Sequence, residues 1–417
     1  MQRIAAYHKY CCMNFKTRMV LVILACLNFT HVLDFMIMMP LGNYLMPYFH
    51  ISPQQFTFLV SAYTLSAAAS GFTAAFFVDQ FDRKKILLFG YIGFLIGTIA
   101  CGISPSFLVL LLSRTIAGIF GGLIGAQVLS IIADLFPFEQ RGKAMGAVMS
   151  AFAIASTLGV PFALYLANTF SWHAPFLLVG FLGIIVVPLV MKYIPSVTDH
   201  MKEKEEGKKP FEGLLIIITH PDLRLALLFS LLMMMGHFLI IPFINPYMEF
   251  NNGYSKVQTP MIYLVGGIAA FFAANILGRV SDRHGKLLVF TWCVLLSLFL
   301  VYGITNLPVI PFSIVLVLFG AWFVLSTGRG VTAQAMVSNL VSSEHRGSFM
   351  SFNSCVQQLG TGIASVVAGA LIKEGGHGKI IHYSWLGYLS IIVLFTCLLL
   401  ARYLFGRMDK RAVALAT

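Results

Sequence analysis

The chain has 417 residues, of which 58% are hydrophobic and 11% are charged, and its formal net charge is +12. Water-soluble domains carry a charge on roughly a quarter of their residues. The composition therefore excludes a soluble globular protein and predicts an integral membrane protein. The positive charge needs no nucleic-acid partner, because the basic loops of a membrane protein face anionic lipid.

Twelve apolar segments are long enough to cross the ~30 Å hydrocarbon core as helices of about 20 residues. In chain order they are 18–46, 55–78, 86–103, 107–135, 144–167, 174–194, 223–249, 260–280, 287–305, 310–340, 349–372 and 383–405. They predict an all-α membrane protein with 12 transmembrane helices in two six-helix halves. The predicted divisions are an N-terminal tail at 1–17, a first half at 18–194, a linker at 195–222, a second half at 223–405 and a C-terminal tail at 406–417.

Lysine and arginine are distributed unequally between the two sides of the membrane that these segments define. With the N-terminus in the cytoplasm, 23 of the 28 lie on the cytoplasmic side, and only Lys256, Lys373 and Lys379 lie on the other side. Positive residues concentrate in cytoplasmic loops. Both termini are therefore predicted to lie in the cytoplasm.

The two halves share landmarks at a nearly constant spacing. Asp79 and Asp282 are 203 residues apart, and Pro40 and Pro242, each just beyond the middle of an apolar segment, are 202 apart. A repeat of half the chain in the same direction indicates two parallel halves related by an axis along the membrane normal.

The segment from Gly278 to Lys286 lies between the eighth and ninth predicted helices and has the composition of a tight cytoplasmic turn. We expect Gly278 and Gly285 to supply the close backbone approach and positive φ of that turn. With Asp282, Arg283 and Lys286 they match the signature GxxxD(R/K)xG(R/K)(R/K). Through this motif and the duplication, the whole chain resembles the major facilitator superfamily, in particular its drug and sugar-efflux branch.

The resemblance implies a latch that holds the cytoplasmic side closed. The first copy of the motif keeps Asp79 and Arg83 but has Asp82 in one of the two glycine positions. In the superfamily the loop aspartate, here Asp79, faces the start of the eleventh helix, and the loop arginine, here Arg83, pairs with an acid at the inner end of the fourth helix, here Asp134. Asn339 takes the place of that acid in the second half. We therefore expect Lys286 to face an uncharged amide and the latch to be asymmetric.

Ionisable residues inside a membrane span are costly and usually mark a transport path. Asp34 lies ~24 Å along its helix from Arg18, at the cytoplasmic face, and Arg114 lies ~10 Å along its helix from Phe107, at the opposite face. In a ~30 Å hydrocarbon core these two depths nearly coincide, so the residues can pair. Arg114 also begins a segment that resembles the fourth-helix pattern RxxxGxxxG. Asp34 resembles the first-helix acid of proton-coupled drug antiporters, which implies proton coupling. The alternative is a buried salt bridge that only fixes helix packing.

Two further ionisable residues lie in the second half. His237 is the repeat counterpart of position 35, beside Asp34, and is either a proton carrier or a hydrogen-bonded core histidine. Arg329 is ten residues, or ~15 Å, nearer the cytoplasm than Arg114. No acid of the second half has a matching depth, so Arg329 would bind either an anionic substrate group or a backbone carbonyl.

Aromatic residues and methionines are plentiful on the first, fourth, seventh and tenth predicted helices, where they would line an adaptable apolar cavity. We expect the substrate to contact side chains that share this cavity with the ionisable groups: Asp34, Phe35, Met38, Arg114, Gln127, His237, Trp322 and Arg329.

These features predict a secondary transporter, a monomer in a bacterial inner membrane, that uses protons to export a small organic compound. The fifth predicted helix partly matches the glycine- and proline-rich pattern of the superfamily's antiporters, which favours export. An alternative is proton-coupled or facilitated uptake of an organic anion, such as a carboxylate siderophore or a metabolite. A more distant alternative is a non-transporting membrane sensor. We expect no enzymatic activity, cofactor, metal site or nucleic-acid partner.

Overall fold

The computed structural model describes residues 15–136, 138–198, 219–341 and 346–416, and within these ranges it leaves some side chains, including that of Asp79, undescribed. In these residues the chain is almost entirely helical, and eleven helices are long and apolar enough to cross a membrane. The helix Pro53–Phe77 has 25 residues, is richer in Ser, Thr and Ala, and packs between two other helices. With this helix, the structure has the twelve membrane helices that the sequence predicts.

The first half contains six membrane helices, which we number in chain order. They are α1 (Phe15–Met38), α2 (Pro53–Phe77), α3 (Arg83–Gly102), α4 (Phe107–Leu135), α5 (Phe138–Ile154) and α6 (His173–Tyr193). A short helix, Gly42–Phe49, follows α1. A π-helical turn at Ala155–Gly159 continues α5 into the helix Val160–Thr169.

The second half repeats this arrangement. Its helices are α7 (Pro221–Phe238), α8 (Thr259–His284), α9 (Lys286–Thr305), α10 (Phe312–Asn339), α11 (Arg346–Leu371) and α12 (Tyr383–Ala416). Between α11 and α12 the strands β1 (Lys373–Glu374) and β2 (Ile380–Ile381) form a small antiparallel hairpin. We call the membrane face where α1 begins and α12 ends the terminal face, and the other the opposite face.

The helix boundaries differ from the predicted ones in three places. The first and seventh segments, predicted as single helices at 18–46 and 223–249, break after Met38 and Phe238. Proline lacks an N–H donor and disfavours the helical conformation of the residue before it, so Pro40 and Pro242 interrupt the two helices at equivalent positions. The twelfth helix runs to Ala416, so most of the tail predicted at 406–417 is helical.

The two halves meet along two helix pairs, α2 with α11 and α5 with α8. Towards the terminal face the rings of Phe72 and Phe352 are 5.7 Å apart. At the opposite face the breaks in α1 and α7 lie together, where the buried Asn245 donates a hydrogen bond of 2.9 Å to the carbonyl oxygen of Pro40. The interrupted helices therefore join the halves at that face.

Two glycines allow α4 to lie directly against α2. A Cβ atom added to Gly118 would clash with the carbonyl oxygen of Tyr63, and one added to Gly122 would clash with that of Ala67. Small residues permit this close backbone approach between membrane helices. One consequence is that Arg114, one turn before Gly118, is held close to α2.

We predict that Gly122→Ala destabilises the protein by about 1–3 kcal/mol, because the added methyl group must push α2 away from α4. Gly125→Ala is the matched control, since a Cβ atom at Gly125 meets no other atom within 4 Å. The unfolding temperatures of both variants in detergent test this. Equal losses of stability would show that the contact between α2 and α4 is not tight.

Candidate functional site

A buried ion pair joins α1 and α4. Nη1 of Arg114 lies 2.7 Å from Oδ2 of Asp34 and 3.5 Å from its backbone oxygen, and both side chains are 0% exposed. The predicted depths of the two residues therefore match closely enough for a direct contact. Side chains tilt towards the N-terminus of their own helix. Because α1 and α4 run in opposite directions, the two side chains point towards each other.

Aromatic residues surround this ion pair. The guanidinium carbon of Arg114 lies 4.4 Å from the ring centroid of the buried Tyr63, a distance at which a cation is attracted to the ring face. His31 packs beside Tyr63 and Phe94, with ring centroids 6.3 and 5.6 Å away. The sequence analysis missed His31, although it lies three residues before Asp34 and therefore on the same face of α1.

A second buried pair joins α7 and α10. Nη2 of Arg329 lies 3.1 Å from Nδ1 of His237. A guanidinium can only donate hydrogen bonds, so Nδ1 accepts and His237 is neutral in this contact. The ring of Trp322 stacks on His237 with the centroids 5.1 Å apart. The titratable residue of the first helix thus contacts an arginine of the fourth helix in each half.

The depth argument for Arg329 found no acid of matching depth in the second half, and it did not predict the contact with His237. That argument compared only the positions of the residues along their helices. Arg329 tilts towards the beginning of α10 and His237 towards the beginning of α7, and the two helices run in opposite directions. The long arginine side chain covers the remaining distance, and the two residues meet.

A row of aromatic rings connects the two buried pairs across the boundary between the halves. From Tyr63, the row continues to Phe35 at 5.8 Å, from Phe35 to Phe238 at 5.9 Å, and from Phe238 to His237 at 5.2 Å. Of the expected substrate contacts, Phe35, His237 and Trp322 therefore lie in one continuous cluster.

Two other expected substrate contacts are not part of this row. Met38 is fully buried in the apolar core near the opposite face. Gln127 is buried on α4, thirteen residues or ~20 Å beyond Arg114 towards the terminal face. The structure thus separates Gln127 from the ion pair by more than half the membrane thickness.

At the terminal face of the first half, Nε of Arg83 contacts Oδ2 of Asp134. Arg83 begins α3 and Asp134 lies at the end of α4, so this is the pair that the superfamily resemblance implies. The side chain of Asp79 lies outside the part of the chain that the structure describes, as do those of the first residues of α11. The expected contact between Asp79 and α11 therefore remains a prediction.

The second copy of the motif differs from the expectation in two ways. Gly278 lies inside α8, where an added Cβ would come no closer than 4.0 Å to Val331, so the turn does not use it. Only Gly285, with φ of +96°, makes the turn between α8 and α9. Nζ of Lys286 lies 3.3 Å from Oδ1 of Asp282, four residues earlier, instead of facing Asn339. Arg283, in the last turn of α8, is exposed.

Asp82, which replaces a glycine of the motif, fastens the chain after α6 to the turn before α3. Its carboxylate accepts hydrogen bonds from Oγ of Ser196 at 2.7 Å and from the amides of Val197 and Lys84 at 3.0 Å. Partial burial acts to raise the pKa of Asp82, but these hydrogen bonds and the nearby Lys85 outweigh it and hold the pKa below its ordinary value. The start of the linker is thereby tied to the turn that carries Arg83.

Comparison with known proteins identifies the fold. The family model described as Major Facilitator Superfamily matches residues 24–332 and 276–416. The chain belongs to the major facilitator superfamily. It is therefore a multi-pass membrane transporter, and the predicted fold of two six-helix halves is confirmed.

Several superfamily proteins are similar to this chain in sequence. An uncharacterized MFS-type transporter, YceJ of Bacillus subtilis (strain 168), is 26% identical over 82% of this chain and 87% of its own length. The putative transporter AraJ of Escherichia coli (strain K12) is 28% identical over 55% of this chain and 57% of its own length. Multidrug resistance protein 3 of Bacillus subtilis is 32% identical over 36% of this chain and 29% of its own length.

Solved superfamily structures share the fold at low sequence identity. A D-xylose-proton symporter aligns with a TM-score of 0.70 and 14% identity over 91% of this chain and 96% of its own length. A bacterial homologue of the human lysosomal transporter Spinster, in an inward-facing and occupied conformation, aligns with a TM-score of 0.69 and 17% identity over 86% of this chain and 83% of its own length.

We predict that Asp82→Ala weakens the attachment of the linker by about 0.5–2 kcal/mol, the usual value of a helix-capping carboxylate. Because folding lowers the pKa of Asp82, its contribution is present at neutral pH and is lost as the pH falls below about 4. The rate of protease cleavage between residues 199 and 218, measured from pH 3 to 7 with an acid-active protease, tests this. Asp222→Ala, in the first turn of α7, is the control. Equal cleavage of the two variants would contradict the attachment.

Proposed function

We propose that this transporter is proton-coupled and exports a small organic compound by alternating access of its two halves. The observation that carries the proposal is the fully buried ion pair between Asp34 and Arg114. Replacing a buried ion pair by apolar side chains is often neutral or stabilising, so packing alone is a weak reason to keep one. Export is supported by the antiporter-like pattern of α5 and by the similarity to a protein named for multidrug resistance.

The ion pair would couple proton binding to the conformation of the protein. A carboxylate beside a guanidinium stays ionised, whereas a carboxylate that loses this partner in a low-dielectric interior binds a proton more readily. Any movement of α1 against α4 that separates Asp34 from Arg114 therefore favours protonation. By linkage, protonation of Asp34 favours the conformation in which the two residues are apart.

The substrate would bind along the aromatic row between the two buried pairs. Phe35 and Trp322 offer apolar ring faces, and Arg329 and His237 offer polar groups at one end of the row. His237 is a second group that could take part in proton coupling, since it contacts Arg329 as Asp34 contacts Arg114. Met38 and Gln127 would join the site only in another conformation.

The proposal also covers the membrane in which the protein lies, its orientation there, its division into halves and its oligomeric state. The terminal face would be the cytoplasmic face of a bacterial inner membrane, because the basic residues of the sequence concentrate there. The halves would be residues 18–194 and 223–405, joined by the linker at 195–222, and the protein would act as a monomer with protons, substrate and lipid as its partners.

We predict that Asp34→Asn abolishes pH-driven transport in proteoliposomes but leaves substrate exchange in place. Asparagine keeps an oxygen that accepts the hydrogen bond of Arg114, but it binds no proton. The control is Asp282→Asn, which removes an exposed carboxylate far from the ion pair. Undiminished proton-coupled flux in Asp34→Asn would refute the assignment.

A second candidate function is the proton-coupled or facilitated uptake of an organic anion. One observation favours it: among the described residues, the side chain of Arg329 is hydrogen-bonded only to the neutral His237, and its Nη1 atom has no hydrogen-bond partner. A buried guanidinium without a carboxylate would bind an anionic substrate group through a charge-assisted hydrogen bond.

We predict that Arg329→Gln weakens the binding of acidic substrates by about tenfold or more, the cost of losing one hydrogen bond to a charged group. Cationic substrates should be much less affected. Arg283→Gln, which changes an exposed arginine at the end of α8, serves as the control. Equal weakening for acids and cations would indicate that Arg329 is structural.

The latch at the terminal face would control the equilibrium between conformations. In the first half it would consist of Asp79, Arg83 and Asp134. The corresponding turn of the second half holds Asp282, Arg283, Gly285 and Lys286, and its one ion pair in the described structure is local, between Asp282 and Lys286. Of the two pairs, both within the described residues, the first-half pair is the one that joins two different helices, so it would resist the separation of α3 from α4.

We predict that Asp79→Asn and Asp134→Asn open the terminal face, while Asn339→Ala changes little. Interactions of this kind are worth about 0.3–1 kcal/mol each, enough to shift a two-state equilibrium several-fold without unfolding the protein. Spin-label distances across the terminal face measure the shift. No increase in either aspartate variant, or an equal increase in Asn339→Ala, would contradict an asymmetric latch.

A further inference from the structure

A groove of about 450 Å³ lies on the membrane-facing surface between α3 and α6. Its walls are aliphatic, with Ile92, Ile96 and Ile99 on α3 and Ile184 and Pro188 on α6 among the lining residues. Ile96 is 61% exposed and Ile184 is 53% exposed, so the groove opens outwards, away from the proposed transport site. In a membrane this surface is in contact with lipid chains.

Two lysines stand at the end of the groove nearest the terminal face. Lys85 is seven residues before Ile92 and therefore on the same stripe of α3, ~10 Å along the helix. Lys192 is four residues after Pro188 and on the same stripe of α6, ~6 Å along the helix. Both side chains are exposed. Each wall of the groove thus ends in a positive charge at the level where the membrane surface begins.

The charged residues near Lys85 and Lys192 are engaged in hydrogen bonds with other groups, which leaves these two lysines as the basic groups of the groove. Nζ of Lys84 donates a hydrogen bond of 2.8 Å to the backbone oxygen of Met191. Asp82 is close enough to Lys85 to feel its charge, but the oxygens of Asp82 already accept the hydrogen bonds from the chain after α6. Lys192 lies over the ring of Tyr193 at 5.3 Å, which leaves its ammonium group open to another partner.

We propose that the groove binds one anionic phospholipid, with an acyl chain between α3 and α6 and the phosphate between Lys85 and Lys192. Basic side chains at the cytoplasmic end of a cleft between membrane helices complement such a head group, and the aliphatic walls complement the chain. The fold itself does not require Lys85, because at the repeat spacing of 203 residues α9 has Leu288 in its place.

The test uses the full-length protein in detergent, with phosphatidylglycerol or phosphatidylcholine of the same acyl chains added and bound lipid counted by native mass spectrometry. We expect one phosphatidylglycerol to be retained in preference to phosphatidylcholine. The double variant Lys85→Gln/Lys192→Gln should bind phosphatidylglycerol about thirty-fold more weakly, since each surface lysine contributes about fivefold. The control, Lys286→Gln/Arg402→Gln, removes the basic residues at the corresponding end of the second half and should change nothing.

A second pair of variants tests the groove independently of the charges. Ile96→Phe and Ile184→Phe fill the groove and should reduce retention of phosphatidylglycerol with both lysines intact. Ile276→Phe, which is also on the membrane-facing surface but on α8, should not. Equal retention of the two lipids, or retention that is unaffected by either set of changes, would overturn the proposal. So would a dimer of this chain that covers the groove and excludes lipid.

Discussion

The ion pair between Asp34 and Arg114 is the interaction on which the proposed coupling of proton binding to conformation depends. Two charges in a low-dielectric interior are stable only when their geometry is good, and removal of either partner leaves the other charge uncompensated. Residues close to the ion pair provide this geometry. Gly118 allows α4 to approach α2, which brings Tyr63 over the guanidinium and closes the pair off from the lipid. A movement of α4 against α1 would therefore act directly on a titratable carboxylate.

The duplicated half has kept the position of this pair but changed its chemistry. His237 is 203 residues after Asp34, the same spacing as between the two motif aspartates, and it contacts Arg329 on the fourth helix of its own half. The first pair is electrically neutral, whereas the second is a cation with a neutral acceptor. The aromatic row through Phe35 and Phe238 connects the two buried pairs across the boundary of the halves. This asymmetry supports one site for protons and one for a substrate group.

Much of the fold was predictable from the sequence, because the length of the apolar segments and the repeat of half the chain can be interpreted with few assumptions. The contact of Asp34 with Arg114 followed from depth alone. The contact of His237 with Arg329 could not be predicted from depth, because it depends on how the two side chains tilt along antiparallel helices. The attachment of the linker to Asp82 was also beyond prediction, because it joins a turn to the hydroxyl of Ser196 and the amide of Val197, more than a hundred residues away. Gly278 was misjudged for a simpler reason, which is that a motif glycine need not be a turn glycine.

The most direct test of the account is whether Asp34 changes its protonation when the protein changes conformation. Infrared difference spectra of the reconstituted transporter, recorded on addition of a transported substrate, report carboxyl protonation through the C=O stretch of the acid. We expect a carboxylic acid band that is absent in Asp34→Asn and retained in Asp282→Asn. The same band in Asp34→Asn, or none in the unmodified protein, would contradict a proton-coupling role for the buried pair.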